Sequence, residues 1–208
     1  MAIRENREYR NIPMFEIRKA EEGEEPSFFV EGYASTFDEY VLFEQDGIQY
    51  KEKILPEAFN ETDMSDVVFL KDHEGTVFAR TKNGTIDLSI DEHGLKTRVD
   101  LSKTASARAM HEEIEAGMYT QMSFAFIVGE DDFDKKTHTR TIRKIDKLFD
   151  VSAVSFPANP GTDISVATRD YFNGVIEMEQ AERLAELEAR QKLELEKMKL
   201  KAKLNLEV

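Results

Sequence analysis

Residues 175–206 contain neither glycine nor proline and are dominated by Glu, Lys, Leu, Ala and Arg. A run of strong helix formers this long, with no breaker in it, reads as one long helix. Its charges are ordered: residues 173–188 hold five acidic and one basic residue, and residues 189–203 hold two acidic and six basic. Negative charge near the start and positive charge near the end complement the helix dipole. Leu184, Leu187, Met198 and Ala202 fit a narrow apolar seam that Gln191 and Glu194 interrupt. A coiled coil and a solvated helix both fit that pattern. The expected organisation is therefore a body over residues 1–172 and a charged helical tail over 173–208.

The body must supply the core. The chain has 208 residues, 40% hydrophobic and 34% charged, enough for one globular domain with a heavily charged periphery. Its formal net charge of −14 opposes binding to phosphate backbones and to anionic lipid, so neither nucleic acid nor a membrane is expected as a partner. No apolar run approaches the ~18 residues of a membrane span, and the first residues lack the apolar segment of a secretory signal. With no cysteine, disulfide and thiolate chemistry are excluded, which suits a reducing cytoplasm.

Most of the body reads as strand. Phe28–Ala34 and Val67–Leu70 are short runs of aromatic or β-branched character. Ile86, Leu88 and Ile90 alternate with polar residues, Asp91-Glu92-His93-Gly94 turns the chain, and Leu95, Thr97, Val99 and Leu101 alternate on the way back. A second hairpin is expected between Ser123–Val128 and Thr139–Ile145, across the polar tip Asp131–Lys136. A last strand runs from Lys147 to Phe156, stopped by Pro157 and Pro160. Pro56–Phe59 reads as one helical turn. Residues 105–116 read as a helix capped by Ser102 or Thr104, with Gly117 as its stop. The fold class expected is α+β, with a β-rich, barrel-like core, a few short helices and the long C-terminal helix.

Ten serines and four histidines are too many for spacing alone to choose a catalytic pair. Three residues nevertheless sit oddly. Ser123 falls beside Ala125 on the face of an apolar strand opposite Met122, Phe124, Phe126 and Val128, leaving room for a substrate backbone. A buried serine bonded to a neighbouring carbonyl is the plainer explanation. His73 follows Val67–Leu70 and precedes Glu74-Gly75, at a strand end where side chains reach into clefts, though an exposed loop histidine fits too. Asp150 interrupts the apolar run Leu148–Val151 and must be paired or exposed. An imidazole partner, an ordinary salt bridge and an edge-strand charge all satisfy it. His93, His111 and His138 have plainer explanations in a turn, on a charged helix and beside a hairpin tip. Asp72-His73-Glu74 offers metal-binding atoms, but adjacent residues do not converge easily on one ion, so neither a metal nor a cofactor is expected.

At these residues the sequence resembles the HK97-type phage prohead (capsid-maturation) serine protease family, which is similar in fold to the herpesvirus assemblin proteases. Five blocks carry the resemblance in order across residues 12–168. They are Val30–Ser35 with Phe37-Asp38; Ile54–Phe59; Phe69–His73 with Arg80 behind it; Glu115–Phe126; and Phe149–Pro160. The resemblance implies Ser123 as nucleophile, His73 as its base and Asp150 as the third member. Relatives usually have glycine at the positions of Ala125 and Ala79, and each methyl group here narrows a backbone approach without removing activity. The oxyanion hole is open between Arg80 and main-chain N–H groups.

The resemblance further implies a serine endopeptidase acting in the host cytoplasm, inside the assembling prohead. Its substrates would be a scaffold protein, or the scaffolding segment of the major capsid protein, and the protease itself. A homo-oligomer is expected, and the tail becomes a scaffold-binding or oligomerisation segment. The main rival is a non-catalytic capsid assembly protein with a coiled-coil tail. A metal-dependent hydrolase using His73 is a further alternative with less behind it.

Overall fold

The computed structural model describes residues 7–13, 15–17, 27–155 and 166–206. The chain divides into two compact units, Met1–Val166 and Ala167–Val208. The first is built on eleven described strands: β1 (Glu8–Pro13), β2 (Phe15–Ile17), β3 (Phe29–Thr36), β4 (Tyr40–Gln45), β5 (Ile48–Ile54), β6 (Val68–Lys71), β7 (Glu74–Arg80), β8 (Ile86–Ile90), β9 (Gly94–Asp100), β10 (Gln121–Asp134) and β11 (Thr139–Val154). A 3₁₀ turn at Pro56–Phe59 and the helix α1 (Ala105–Glu115) lie between them.

The larger sheet has the order β1-β10-β11-β5-β4, and β6, carrying β7, also pairs with β11. β11 is the spine. Its first residues, Thr139–Ile142, pair in parallel with Lys51–Ile54 of β5, and Asp150–Ala153 pair in parallel with Val68–Lys71 of β6. The smaller sheet, β2-β3-β9-β8, is antiparallel throughout. Phe69, Met122, Phe124, Phe126, Ile142 and Leu148 from the larger sheet join Val30, Leu95 and Val99 from the smaller one in a single core, with Ala107, Met110 and Ile114 of α1.

The expected α+β class is present, but the barrel-like closure is not. Among the described residues the larger sheet ends at β1 on one side and at β4 on the other, and neither sheet closes on itself. The reason is β11, which spends its two ends on different neighbours, so the sheet branches instead of rolling up. β10 and β11 also run longer than expected. The segments Thr139–Ile145 and Lys147–Phe156, read as separate strands, become one strand from Thr139 to Val154, broken in register by bulges against β10; Phe156 lies outside the described residues. The proposed stop at Pro157 and Pro160 lies outside the described residues.

Local signals place the rest. The β8–β9 hairpin follows the alternation at 86–101, and Gly94 is needed for close approach: a Cβ there would lie 1.9 Å from the Ser35 carbonyl oxygen. Thr104 caps α1 by accepting the Ala107 N–H at 3.0 Å. Gly117 ends α1 in the left-handed region, with φ of 77°.

The described residues of the second unit all belong to one helix, α2 (Val166–Leu206), which begins nine residues before the breaker-free run. Gly174 is absorbed inside it. Thr168, Phe172 and Ile176, spaced by four, are buried and form one stripe. An internal glycine costs a helix ~1 kcal/mol, little against so long a run of strong helix formers. From Gln180 to Lys201 the described side chains are exposed. No helix among the described residues is long and apolar enough to cross a membrane.

Candidate active site

β10 and β11 bring Ser123 and Asp150 onto one sheet face. Ser123 stands opposite Ser152, and Ala125 opposite Asp150, so Ser123, Ala125, Asp150 and Ser152 line that face together. Met122, Phe124 and Phe126 point the other way into the core. Ser123 itself is fully buried and Asp150 nearly so.

His73 arrives from a different direction. Lys71 pairs with Glu74, which leaves Asp72 and His73 as a two-residue hairpin turn between β6 and β7. Both are in the left-handed region, with φ of 47° and 60°. Two successive positive φ values are what a tight type I′ turn requires, a place usually given to Asn-Gly or Asp-Gly. Asp and His are among the side chains that tolerate the left-handed region better than most. The tip is tied to β11: the Asp72 N–H donates to the Ala153 carbonyl at 3.0 Å, and Asp72 Oδ1 accepts the Ser155 N–H at 3.1 Å.

The turn delivers the imidazole between the other two residues. His73 Nε2 lies 2.6 Å from Ser123 Oγ, and His73 Nδ1 lies 2.5 Å from Asp150 Oδ1. Ser152 Oγ donates to the same Asp150 oxygen at 2.8 Å. The three sequence candidates are thus brought together in one hydrogen-bonded chain, carboxylate to imidazole to hydroxyl. That order suits proton transfer from the hydroxyl, because the carboxylate fixes the ring tautomer that leaves Nε2 free to accept.

Other candidates lie elsewhere. Arg80 gives its guanidinium to Asp66, with Nε–Oδ1 at 2.5 Å and Nη2–Oδ2 at 2.7 Å. His93 is exposed in the β8–β9 turn, and His138 occupies the β10–β11 turn with φ of 52°. His111 lies on the helix α1 as expected, but is buried there with its ring edge-on to Phe28. Ala125 and Ala79 are buried, so their methyl groups occupy packed space.

Sequence reasoning missed the strand that stands beside Ser123. β1 pairs antiparallel with β10, placing Asn11 opposite Ser123 and Tyr9 opposite Ala125. The Tyr9 ring meets the His73 ring edge-on, with centroids 4.5 Å apart. On the other face of β1, Glu8 and Arg10 enter a buried ion network. Arg10 grips Glu52 with two hydrogen bonds of 2.5 and 2.6 Å, and donates to Glu8 at 2.6 Å. Arg140 donates to both Glu8 oxygens, at 2.8 and 3.0 Å, and to Asp131 at 2.5 Å. Tyr40 Oη donates to Glu52 at 2.5 Å. Burial pushes the Glu8 carboxyl up, but the guanidiniums of Arg10 and Arg140 outweigh it and bring its pKa down to about 2. β1, β4, β5, β10 and β11 are thereby clamped at one point.

Residues 14–175, a span that includes His73, Ser123 and Asp150, match a family model described as caudovirus prohead serine protease. The chain belongs to that family. Membership makes the protein a serine peptidase of phage head maturation, a role exercised inside the assembling prohead. No curated protein and no solved structure matches this family member significantly.

Proposed function

We propose that the protein is a serine endopeptidase in which Ser123 is the nucleophile, His73 the general base and acid, and Asp150 the residue that orients the imidazole. The observation that carries this reading is the hydrogen-bonded chain Asp150–His73–Ser123, assembled from three segments distant in sequence. His73 Nε2 takes the Ser123 proton as Oγ attacks the scissile carbonyl, forming the C–O bond of a tetrahedral intermediate. The imidazolium then protonates the departing amine, the C–N bond breaks, and an acyl-enzyme remains. Water, deprotonated by the same nitrogen, releases the second product. Asp150 stabilises the imidazolium, and the Ser152 hydroxyl fixes the carboxylate for that task.

The substrates under this reading are a scaffold protein or the scaffolding segment of the major capsid protein, together with the protease itself. The likeness to the herpesvirus assemblin proteases belongs to the same proposal, as does the division into a protease domain, 1–172, and a tail, 173–208, that binds scaffold or a second copy. Co-expression with the capsid protein, followed by mass spectrometry of every chain terminus, tests it. New termini that vanish in Ser123→Ala are expected. Intact chains with the wild-type protein, or unchanged processing by Ser123→Ala, would point to a non-catalytic assembly protein or to a different nucleophile.

A further inference from the structure

The outer part of α2 has its own pattern, one that does not depend on what Ser123 does. From Gln180 to Lys201 the described side chains are exposed, including Leu184, Leu187, Leu195 and Met198, which are 48–63% exposed. Most helical stability in proteins comes from packing of an amphipathic face and not from intrinsic propensity. Four large apolar residues left in solvent on one such helix imply a partner.

Their positions say which partner. Leu184, Leu187, Gln191, Leu195 and Met198 follow steps of three, four, four and three residues, so at 3.6 residues per turn they share one narrow stripe. The stripe is symmetric about Gln191: Leu187 and Leu195 lie four residues to either side, and Leu184 and Met198 lie seven. A two-fold axis through Gln191 would therefore match the stripe with itself in the antiparallel sense. Leu184 would meet Met198 of the second copy, Leu187 would meet Leu195, and Gln191 would meet Gln191.

Charge selects the same arrangement. Residues 173–188 carry five acidic and one basic residue, and residues 189–203 carry two acidic and six basic. Antiparallel pairing sets the acidic half of each helix along the basic half of the other, whereas parallel pairing sets like against like. The opposite side of the helix carries a second pair of exposed leucines, Leu193 and Leu200. Both lie inside the basic half, so pairing two copies through them would bring like charges together.

We propose that α2 is a self-association helix that pairs antiparallel with α2 of a second copy, in register about Gln191. The contact is small and leans on charge, so it forms at high local protein concentration and weakens as salt rises.

The chain has no cysteine, which makes single-cysteine crosslinking clean. The experiment uses the full chain in a Ser123→Ala background, with intact mass checked, so that removal of the tail by proteolysis cannot imitate failure to pair. Under mild oxidation Gln191→Cys should give a covalent dimer at high yield. Leu184→Cys alone should not, but Leu184→Cys mixed with Met198→Cys should link the two chains. Self-linking of Leu184→Cys would mean parallel pairing, and efficient linking at Leu193→Cys instead of Gln191→Cys would mean the wrong face. Either result overturns the proposal, as does a monomer in sedimentation at about 100 μM in low salt. A triple Lys197→Glu, Lys199→Glu, Lys201→Glu variant should lose dimerisation at least tenfold. Adding Glu182→Lys, Glu186→Lys and Glu188→Lys to the same chain should restore it. Failure of that charge exchange to restore pairing would also count against the antiparallel arrangement.

Discussion

Tyr9 meets His73 edge-on, ring to ring at 4.5 Å and 65°, from a strand whose other face is locked into a buried ion network. The imidazole is thus steered from the sheet side as well as by its two hydrogen-bonding partners. Removing the ring in Tyr9→Ala should lower the rate at which a phosphonate probe labels Ser123 about tenfold, equivalent to ~1.4 kcal/mol in the barrier. Tyr9→Phe should stay close to wild type, because the edge contact survives. A positioning role also predicts a shifted limb in the pH–rate profile of Tyr9→Ala, a change that mere loosening of β1 would not produce.

Asp150 is nearly buried and holds both His73 and Ser152 on one oxygen. Asp150→Asn should preserve the fold yet cut turnover by about 10³–10⁴-fold, since the amide no longer enforces the tautomer with a free Nε2. Ser152→Ala should cost far less, about tenfold, by leaving the carboxylate less firmly held. Burst labelling of Ser123 by a phosphonate probe, followed by mass, measures both. Equal losses for the two variants would contradict the assigned roles.

The turn that carries His73 places Asp72 at φ 47°. Asp72→Gly should leave thermal stability within about 1 kcal/mol, because glycine accepts that conformation even as the Ser155 contact is lost. Asp72→Val should cost about 2 kcal/mol or more and reduce activity sharply, since a β-branched residue resists the left-handed region and re-aims the tip. Thermal melts alongside labelling rates separate the two effects.

Glu8 gives the fold a defined acid limit. Its pKa is brought down to about 2 in the folded protein, from an ordinary 4.5. A depressed folded value means its stabilisation is fully present above about pH 4.5 and is lost as pH falls towards 2, amounting to about 3 kcal/mol. Urea denaturation at pH 7, 4 and 3 should show that decline in the wild type. Glu8→Gln should start lower at pH 7 and fall less steeply, because the group that titrates is gone.

Legibility in the sequence followed the physics of each region. The β8–β9 hairpin and α1 were readable because one face of each is buried and the other wet, and because Thr104 and Gly117 mark the ends of the helix. β10 and β11 were harder. Beyond Val128 their paired arm is studded with Glu130, Asp131, Asp132 and Asp134, so its composition looks like a loop although its backbone is a ladder. Glu8, Arg10, Glu52 and Arg140 left no trace at all, since a buried ion network and a solvated charged surface use the same letters. For Ser123, His73 and Asp150, local setting offered only candidacy, and ordered resemblance made the selection. Their hydrogen-bonded arrangement depends on a turn whose left-handed backbone no composition rule would assign to Asp-His.

The branching of β11 has a bearing on how the molecule comes into being. The hairpins β4–β5 and β6–β7 are local and can form early, but each gains its parallel neighbour only when residues 139–154 exist. His73 waits on the tip of one hairpin for an aspartate 77 residues further along the chain. Contacts of such long sequence separation delay folding and fall late in its course. A chain still emerging from the ribosome would thus carry its serine without a working partner, and assembly of the hydrogen-bonded chain would coincide with completion of the sheet.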